Sequence, residues 1–280
     1  MIVSIFDQYG ALNSLPVFNA IRTGLDQLGI RHNSMNQNAD VAVIWSQLWR
    51  GRMLSNRAVW ETFRKSGRPV VVAEVGMLRR GSTWKLGING TGSRAYYGSE
   101  LIPGRADKLQ LKALPWTNSG SNIVIAAQRS DSEQWAGQLP TVQWLTETVC
   151  RIKSCTDRPI VIRPHPRQRI KDIPGCSIQL PKPVAGTYDN FDYELCLQSA
   201  WAVVNHNSGP GSQAVLAGIP AFVDSTSLAS PVGNLDFSTI NDPIRPDRTQ
   251  WIEQLAHTEW YTEEIASGLP LARLLSAHLG

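Results

Sequence analysis

The sequence predicts an α/β protein made of two Rossmann-like domains whose parallel sheets face a cleft, and three observations lead there. Short, wholly apolar runs such as Val41–Trp45 and Pro69–Ala73 read as strands buried on both faces. They alternate with segments of helical period, the pattern of a doubly wound parallel sheet. The alternation occurs in two series, separated by residues 76–121, which are rich in Gly, Ser, Lys and Arg and weakly periodic. The expected division is 1–115 and 116–280, with a last helix able to pack back on the first domain. A single large domain is the alternative.

In order along the chain, Ile2–Phe6 reads as a strand and Ser14–Gly29 as a helix. The helix has Leu15, Val17, Phe18, Ile21, Leu25 and Leu28 on one stripe, Ser14 as N-cap, Pro16 in the first turn and Gly29 at its end. Val41–Trp45 is a strand, Asn56–Ser66 a helix closed by Gly67, and Pro69–Ala73 a third strand. Residues 76–121 are expected to form irregular active-site loops and a linker. The second series runs Asn122–Ala127 (strand), Val142–Ile152 (helix), Pro159–Arg163 (strand), Tyr193–Ser199 (helix) and Trp201–Val204 (strand). A helix at 213–217 and a strand at 220–223 follow. Thr249–Ala256 and Glu259–Leu279 read as helices.

Composition narrows the function classes. With 42% hydrophobic and 18% charged residues over 280 positions, the chain can bury a full core. No apolar run reaches the roughly 18–20 residues of a membrane span. The N-terminus reads as a strand rather than a secretory leader, so a soluble, cytoplasmic protein is expected. Cys150, Cys155, Cys176 and Cys196 form neither a CxxC pair nor a disulfide framework and read as ordinary thiols. A net charge of +4 suits a polyanionic partner but equally any nucleotide-binding enzyme. Ten tryptophans are a heavy load; at least half are expected in the core, with others free to line a cleft for a sugar or base.

One segment points to a ligand. Asn205-His206-Asn207-Ser208-Gly209-Pro210-Gly211-Ser212-Gln213 lies between a strand and a helix. Such a turn presents backbone N–H groups at the positive end of a helix dipole, a site for phosphate. A second segment, Arg163-Pro164-His165-Pro166-Arg167, directly follows a strand. Its prolines stiffen the turn around His165, and its arginines suit phosphate oxygens. Ligands of open α/β sheets bind at the carboxyl ends of strands, where both segments lie. Neither G-x-G-x-x-G after the first strand nor G-x-x-x-x-G-K-S/T occurs, which disfavours a nicotinamide dehydrogenase and a P-loop NTPase.

R-P-H-P after one strand and Ser208-Gly209-Pro210-Gly211-Ser212-Gln213-Ala214-Val215-Leu216-Ala217-Gly218-Ile219-Pro220 after a later one resemble the donor-binding domain of GT-B glycosyltransferases. The pattern is similar to the capsule polysaccharide synthase family with its bacterial Kdo transferases, where the later motif reads S-x-x-G-F-E-A-L-x-x-G-x-P. That family's E-D-G-F, then L or I, then R-S, is matched by Glu74-Val75-Gly76-Met77-Leu78-Arg79-Arg80, with Leu86-Gly87 following. The three patches cover about half of the chain. A whole-chain likeness to small glycosyltransferase-like proteins of tailed bacteriophages is less specific. Two departures bear on chemistry: Val75 stands for the family's acidic residue and Gln213 for its glutamate, so Kdo-type donor chemistry does not transfer.

The resemblance implies a GT-B-like transferase that takes a sugar from a nucleotide-sugar donor, UDP-linked, with no other cofactor. Arg163, His165, Arg167, His206, Asn207, Ser208, Gly209, Gly211 and Gln213 are the expected donor-binding residues. Glu74 and Asp7 are the carboxylates at strand ends of the first series. Glu74 is favoured as base because it ends an apolar strand, where partial burial would make it the stronger base. A structural partnership of Glu74 with Arg79 or Arg80, and a turn-capping role for Asp7, are the alternatives. No D-x-D stands in a suitable loop, so no obligatory metal is expected; the Asp189-Asn190-Phe191-Asp192 run reads as a helix start.

For the acceptor, a 5-hydroxymethyl pyrimidine in phage DNA, modified in the host cytoplasm, is favoured over a polysaccharide or lipid-linked glycan. The favour rests on Arg79, Arg80, Lys85, Arg94, Arg105, Lys108 and Lys112 lying among Trp84, Tyr96, Tyr97 and Trp116, a mixture able to hold phosphates and stack a base. Arg79, Arg80, Trp84 and Lys85 are the named acceptor-binding residues. A solvated loop would show the same composition. A sugar-nucleotide epimerase and a non-catalytic nucleotide- or DNA-binding protein are the alternatives of other classes. Oligomeric state is left open.

Overall fold

The computed structural model describes residues 1–276 except 194 and 196. The chain divides into two compact units. One comprises residues 1–110, 131–133 and 253–280; the other comprises 111–130 and 134–252.

The first unit opens with β1 (Ile2–Ile5), α1 (Leu15–Gln27), β2 (Arg31–Ser34), β3 (Val41–Trp45), α2 (Leu54–Lys65), β4 (Val70–Val75), β5 (Thr83–Ile88) and the short α3 (Arg105–Lys108). In the second unit come β6 (Asn122–Ala126), α4 (Thr141–Lys153), β7 (Ile160–Arg163), β8 (Ser177–Ile178), β9 (Ala200–Val204), α5 (Gly209–Leu216) and β10 (Ala221–Phe222). Then α6 (Thr249–Ala256) leads to β11 (Glu259–Tyr261), α7 (Thr262–Ala266) and α8 (Leu269–Leu275).

Sheet order in the first unit is β11-β5-β4-β3-β1-β2. The four strands β2, β1, β3 and β4 are parallel, while β5 and β11 extend the sheet antiparallel. Pleat alternation sorts the apolar side chains between two faces. Val41, Val43 and Trp45 pack with α1, Trp84, Trp260 and the C-terminal helices. Ala42, Ile44, Val70 and Val72 pack with Val59 and Phe63 of α2.

The second sheet, β10-β9-β6-β7-β8, is parallel throughout. Its chain moves outward from β6 to β7 and β8, then returns to β9 on the far side of β6. That reversal makes β6/β9 the switch point, where sheets of this kind hold ligands. In the first sheet the corresponding reversal lies at β1/β3.

Several expectations need correction. The segment 76–121 is not loop throughout: 83–88 form β5, every residue of which is buried. Lys85 and Thr83 interrupt its apolar pattern, which hid it. β2, Arg-His-Asn-Ser, is polar because it is an edge strand. Glu259–Leu279 is not one helix, since β11 pairs with β5 and Gly268 at φ +80° separates α7 from α8; Leu279 lies outside the described residues. The helix expected at 193–199 is absent from its described residues, and Glu194 and Cys196 lie outside them. Residues 189–192 fold back in a hairpin instead, with Val184 N–H donating to Asn190 O and Asp192 N–H to Lys182 O. Finally, α5 starts at Gly209, four residues before the expected start, because Pro210 suits a helix's first turn. Cys150, Cys155 and Cys176 are free thiols. No helix among the described residues is long and apolar enough to cross a membrane.

Candidate functional site

The β6/β9 switch point is built around Asn205. Its Nδ2 donates to Ala126 O at the end of β6 (2.8 Å), while its Oδ1 accepts from the Ser208 N–H (2.9 Å). One buried amide thus ties two strand ends together and shapes the turn into α5. Ser208 holds the N-cap position in extended conformation (φ −93°, ψ 179°). Its hydroxyl bonds Asn205 rather than the helix. The first-turn N–H groups of a helix have no intrahelical acceptor, so α5 offers those of Gly209 and Gly211. A Cβ on Gly211 would stand 2.8 Å from Val223 Cγ1, so the missing side chain lets α5 lie close on the end of β10. Ser212 Oγ is buried without a hydrogen-bond partner within the protein.

Gln128, two residues beyond β6, braces the same turn. Its Oε1 accepts the Asn207 N–H (3.1 Å) and its Nε2 donates to Asn207 Oδ1 (2.9 Å). Asn207 Nδ2 donates onward to Gln134 O and Thr226 Oγ1. Asn207 is therefore a structural brace. His206 packs edge-on to Trp135, with ring centroids 5.1 Å apart, and near Trp144. Burial pushes its imidazole below the ordinary histidine range, against the opposing pull of Asp224. Gln213 is half-buried on α5.

At the neighbouring end of β7, Arg163 is buried and its Nη2 contacts Asp192 at both O (2.7 Å) and Oδ2 (3.0 Å). His165 Nδ1 accepts the Arg167 N–H (3.1 Å), and its ring meets Tyr193 edge-on. Arg167 reaches Asp189 Oδ1 (2.8 Å). The structure places the R-P-H-P-R turn and the 205–213 turn on strands flanking β6, within one unit.

In the first unit, Asp7 follows β1 and is ion-paired with Arg22 of α1, which also donates to Ser34 Oγ. Glu74, on β4, accepts hydrogen bonds from Ser46 Oγ and from the Val75 N–H. Ser46 directly follows β3 at φ +62°, an uncommon conformation for serine. Glu74 stands in register opposite Lys85. Burial pushes the Lys85 ammonium below the ordinary lysine range, while Glu259 and Glu74 oppose that shift.

The Glu74–Arg80 segment has a second role, invisible in sequence. Glu259 of β11 is fully buried, and its carboxylate accepts the N–H groups of Met77 (2.7 Å) and Leu78 (3.0 Å) and the Thr83 hydroxyl (2.7 Å). A Cβ on Gly76 would lie 2.3 Å from Glu259 Oε2. The glycine of this motif is a seat for a carboxylate from the far end of the chain.

The residues expected to hold an acceptor are largely used by the fold. Trp84 is a core residue whose Nε1 donates to Thr262 Oγ1. Arg79 clamps Leu109 O and Gln110 O. Arg105 is buried against Glu264 (2.6 Å), which Lys108 also meets. Trp116 donates to Pro246 O beneath Arg248. Arg80, Arg94 and Lys112 are exposed.

The sequence places ligand-site candidates just after Trp45, Ala127 and Val204, where Ser46, Gln128 and Asn205 stand, but it gives none of the three its role as a builder of these sites. Each directly follows a strand or lies two residues beyond it, and that position was the available signal. Nothing in the sequence pointed to Glu259.

No family model matches the chain, and no curated protein matches it in sequence. Among solved structures, KpsC of Thermosulfurimonas dismutans, a beta Kdo 2,4 transferase, superposes with a TM-score of 0.53 at 12% identity, covering 92% of this chain and 90% of that one. The beta Kdo 2,7 transferase KpsC of the same organism gives 0.50 at 14% identity, covering 96% and 98%. The fold is GT-B-like. At such identities the likeness is one of fold, that of two Rossmann-type sheets.

Proposed function

We propose that the chain is a glycosyltransferase that moves a sugar from a UDP-linked donor to a hydroxyl acceptor without an obligatory metal. The observation that carries the reading is the β6/β9 switch point, where Asn205 shapes a turn into the N-terminus of α5 beside the R-P-H-P-R turn. Backbone N–H groups, the helix dipole and basic side chains there suit the diphosphate that leaves as the glycosidic bond breaks. The GT-B-like fold and its Kdo-transferase neighbours support the same class.

Glu74 is the proposed base that takes the acceptor's proton, oriented by Ser46, with Asp7 as the second candidate. A glycan hydroxyl is the favoured acceptor. The DNA reading leaned on Arg79, Trp84, Lys85, Arg105 and Lys108, which serve the fold.

The test is mass spectrometry after incubation with a panel of nucleotide sugars and two acceptors, a bacterial oligosaccharide mixture and 5-hydroxymethylcytosine DNA. A sugar-sized gain on the glycan is expected. Glu74→Gln should lower turnover by about 10²–10⁴-fold, with UDP binding by calorimetry retained. Unchanged turnover would move the base to Asp7. A gain on the DNA would instead move the acceptor. No gain and no nucleotide binding would remove the reading.

A further inference from the structure

Three residues at the end of β7 are each met by one segment of the same unit. Asp192 lies on Arg163, Tyr193 on His165, and Asp189 on Arg167. Two carboxylates thus stand on the two arginines of the R-P-H-P-R turn. A carboxylate and a phosphate oxygen use the same charge-assisted hydrogen bonds to guanidinium. We infer that the segment Lys182–Tyr193 is an acidic strap that competes with a donor's diphosphate for Arg163 and Arg167. The inference rests on the donor-site reading above and adds a means of regulating that site.

The build of the strap suits displacement. Residues 182–188 are exposed, among them Val184 and Tyr188. The hairpin closes on the Val184–Asn190 and Asp192–Lys182 backbone bonds. A segment with little buried apolar surface opens at low cost. Its inner side is polar where it meets the arginines: Arg163 is 6% exposed beneath Asp192, and Asp189 is 9% exposed on Arg167. Entering phosphates would take over these guanidinium contacts and release both carboxylates to water.

The test uses inorganic diphosphate and, separately, UDP as probes, by titration calorimetry on the full chain. The double variant D189N/D192N keeps the shape of the strap but removes its charge. It should bind diphosphate about fivefold more tightly than the unsubstituted protein, the scale of two partly exposed ion pairs. Hydrogen exchange on the unsubstituted protein needs no variant to fold. There, diphosphate should speed exchange at the Val184 and Asp192 amides. Equal or weaker diphosphate binding by the variant, or amides that slow or stay unchanged, would overturn the strap. If the variant gains diphosphate affinity but neither protein binds UDP better than diphosphate, the strap stands and the nucleotide reading fails.

Discussion

Single residues carry the most specific chemistry. His257 is buried with Nε2 accepting the Ile102 N–H (2.8 Å) and Nδ1 facing Glu253 O (2.6 Å), an arrangement that only the neutral ring satisfies. Burial, with Arg273 and Arg105 nearby, pushes its imidazole below the ordinary value, and burial does the same to His206. A depressed histidine binds its proton more weakly when folded than unfolded. Its stabilisation is present above the unfolded pKa of about 6.5 and is lost as pH falls through the folded value. Urea titrations should therefore show stability falling below pH 6.5, and less steeply in His257→Gln. Gly76 is the other informative position. Because a Cβ would meet Glu259 Oε2 and Thr83 O within 2.4 Å, Gly76→Ala should cost about 3 kcal/mol in denaturant titration. The sequence marked Gly76 through motif likeness, yet its reason lies more than 180 residues away along the chain. Such a reason cannot be read from local pattern.

At the level of elements, strands β1, β3, β4, β6, β7 and β9 were legible because burial on both faces demands unbroken apolar runs, and α1, α2 and α4 because one face must be apolar. Terminal turns were less legible. Ser14 stands at the N-cap of α1 as expected, but it is helical in conformation and its hydroxyl bonds Ala11 O, so it gives the helix no side-chain cap. α5 absorbs the Gly-Pro-Gly that had read as turn. Its position depends on Asn205, which joins β6, β9 and the N-cap. Asn205→Ala should remove the donor to Ala126 O and the acceptor for Ser208 N–H, costing about 2 kcal/mol. Thermal unfolding would report that loss. Diphosphate affinity should fall in the same variant, whereas a surface change such as Thr146→Ala on α4 should leave it intact.

For the whole molecule, the decisive feature is the return of the C-terminal segment to the first sheet. β11 pairs with β5, and Trp260 stands opposite Trp84, 1% exposed, beneath the Arg105 guanidinium. Trp260→Ala should cost about 3–5 kcal/mol. Hydrogen exchange should rise at the β4 and β5 amides, although the substitution lies far from them in sequence; unchanged exchange there would show that β11 contributes little to this sheet. The β5–β11 pairing was hidden because Lys85 and Glu259, which stand opposite each other in that pairing, look like surface residues in sequence yet are buried.

The sequence by itself determined the α/β class, the two series of parallel strands and the two polar turns after β7 and β9, since periodicity and strand-end position are local properties of a chain. Only the tertiary structure decided which charges are spent. Arg79, Arg105 and Glu259 serve the fold, and Arg163 and Arg167 are held by Asp192 and Asp189. A charged side chain's role depends on what is brought beside it, and residues distant in sequence become neighbours only when the sheets form.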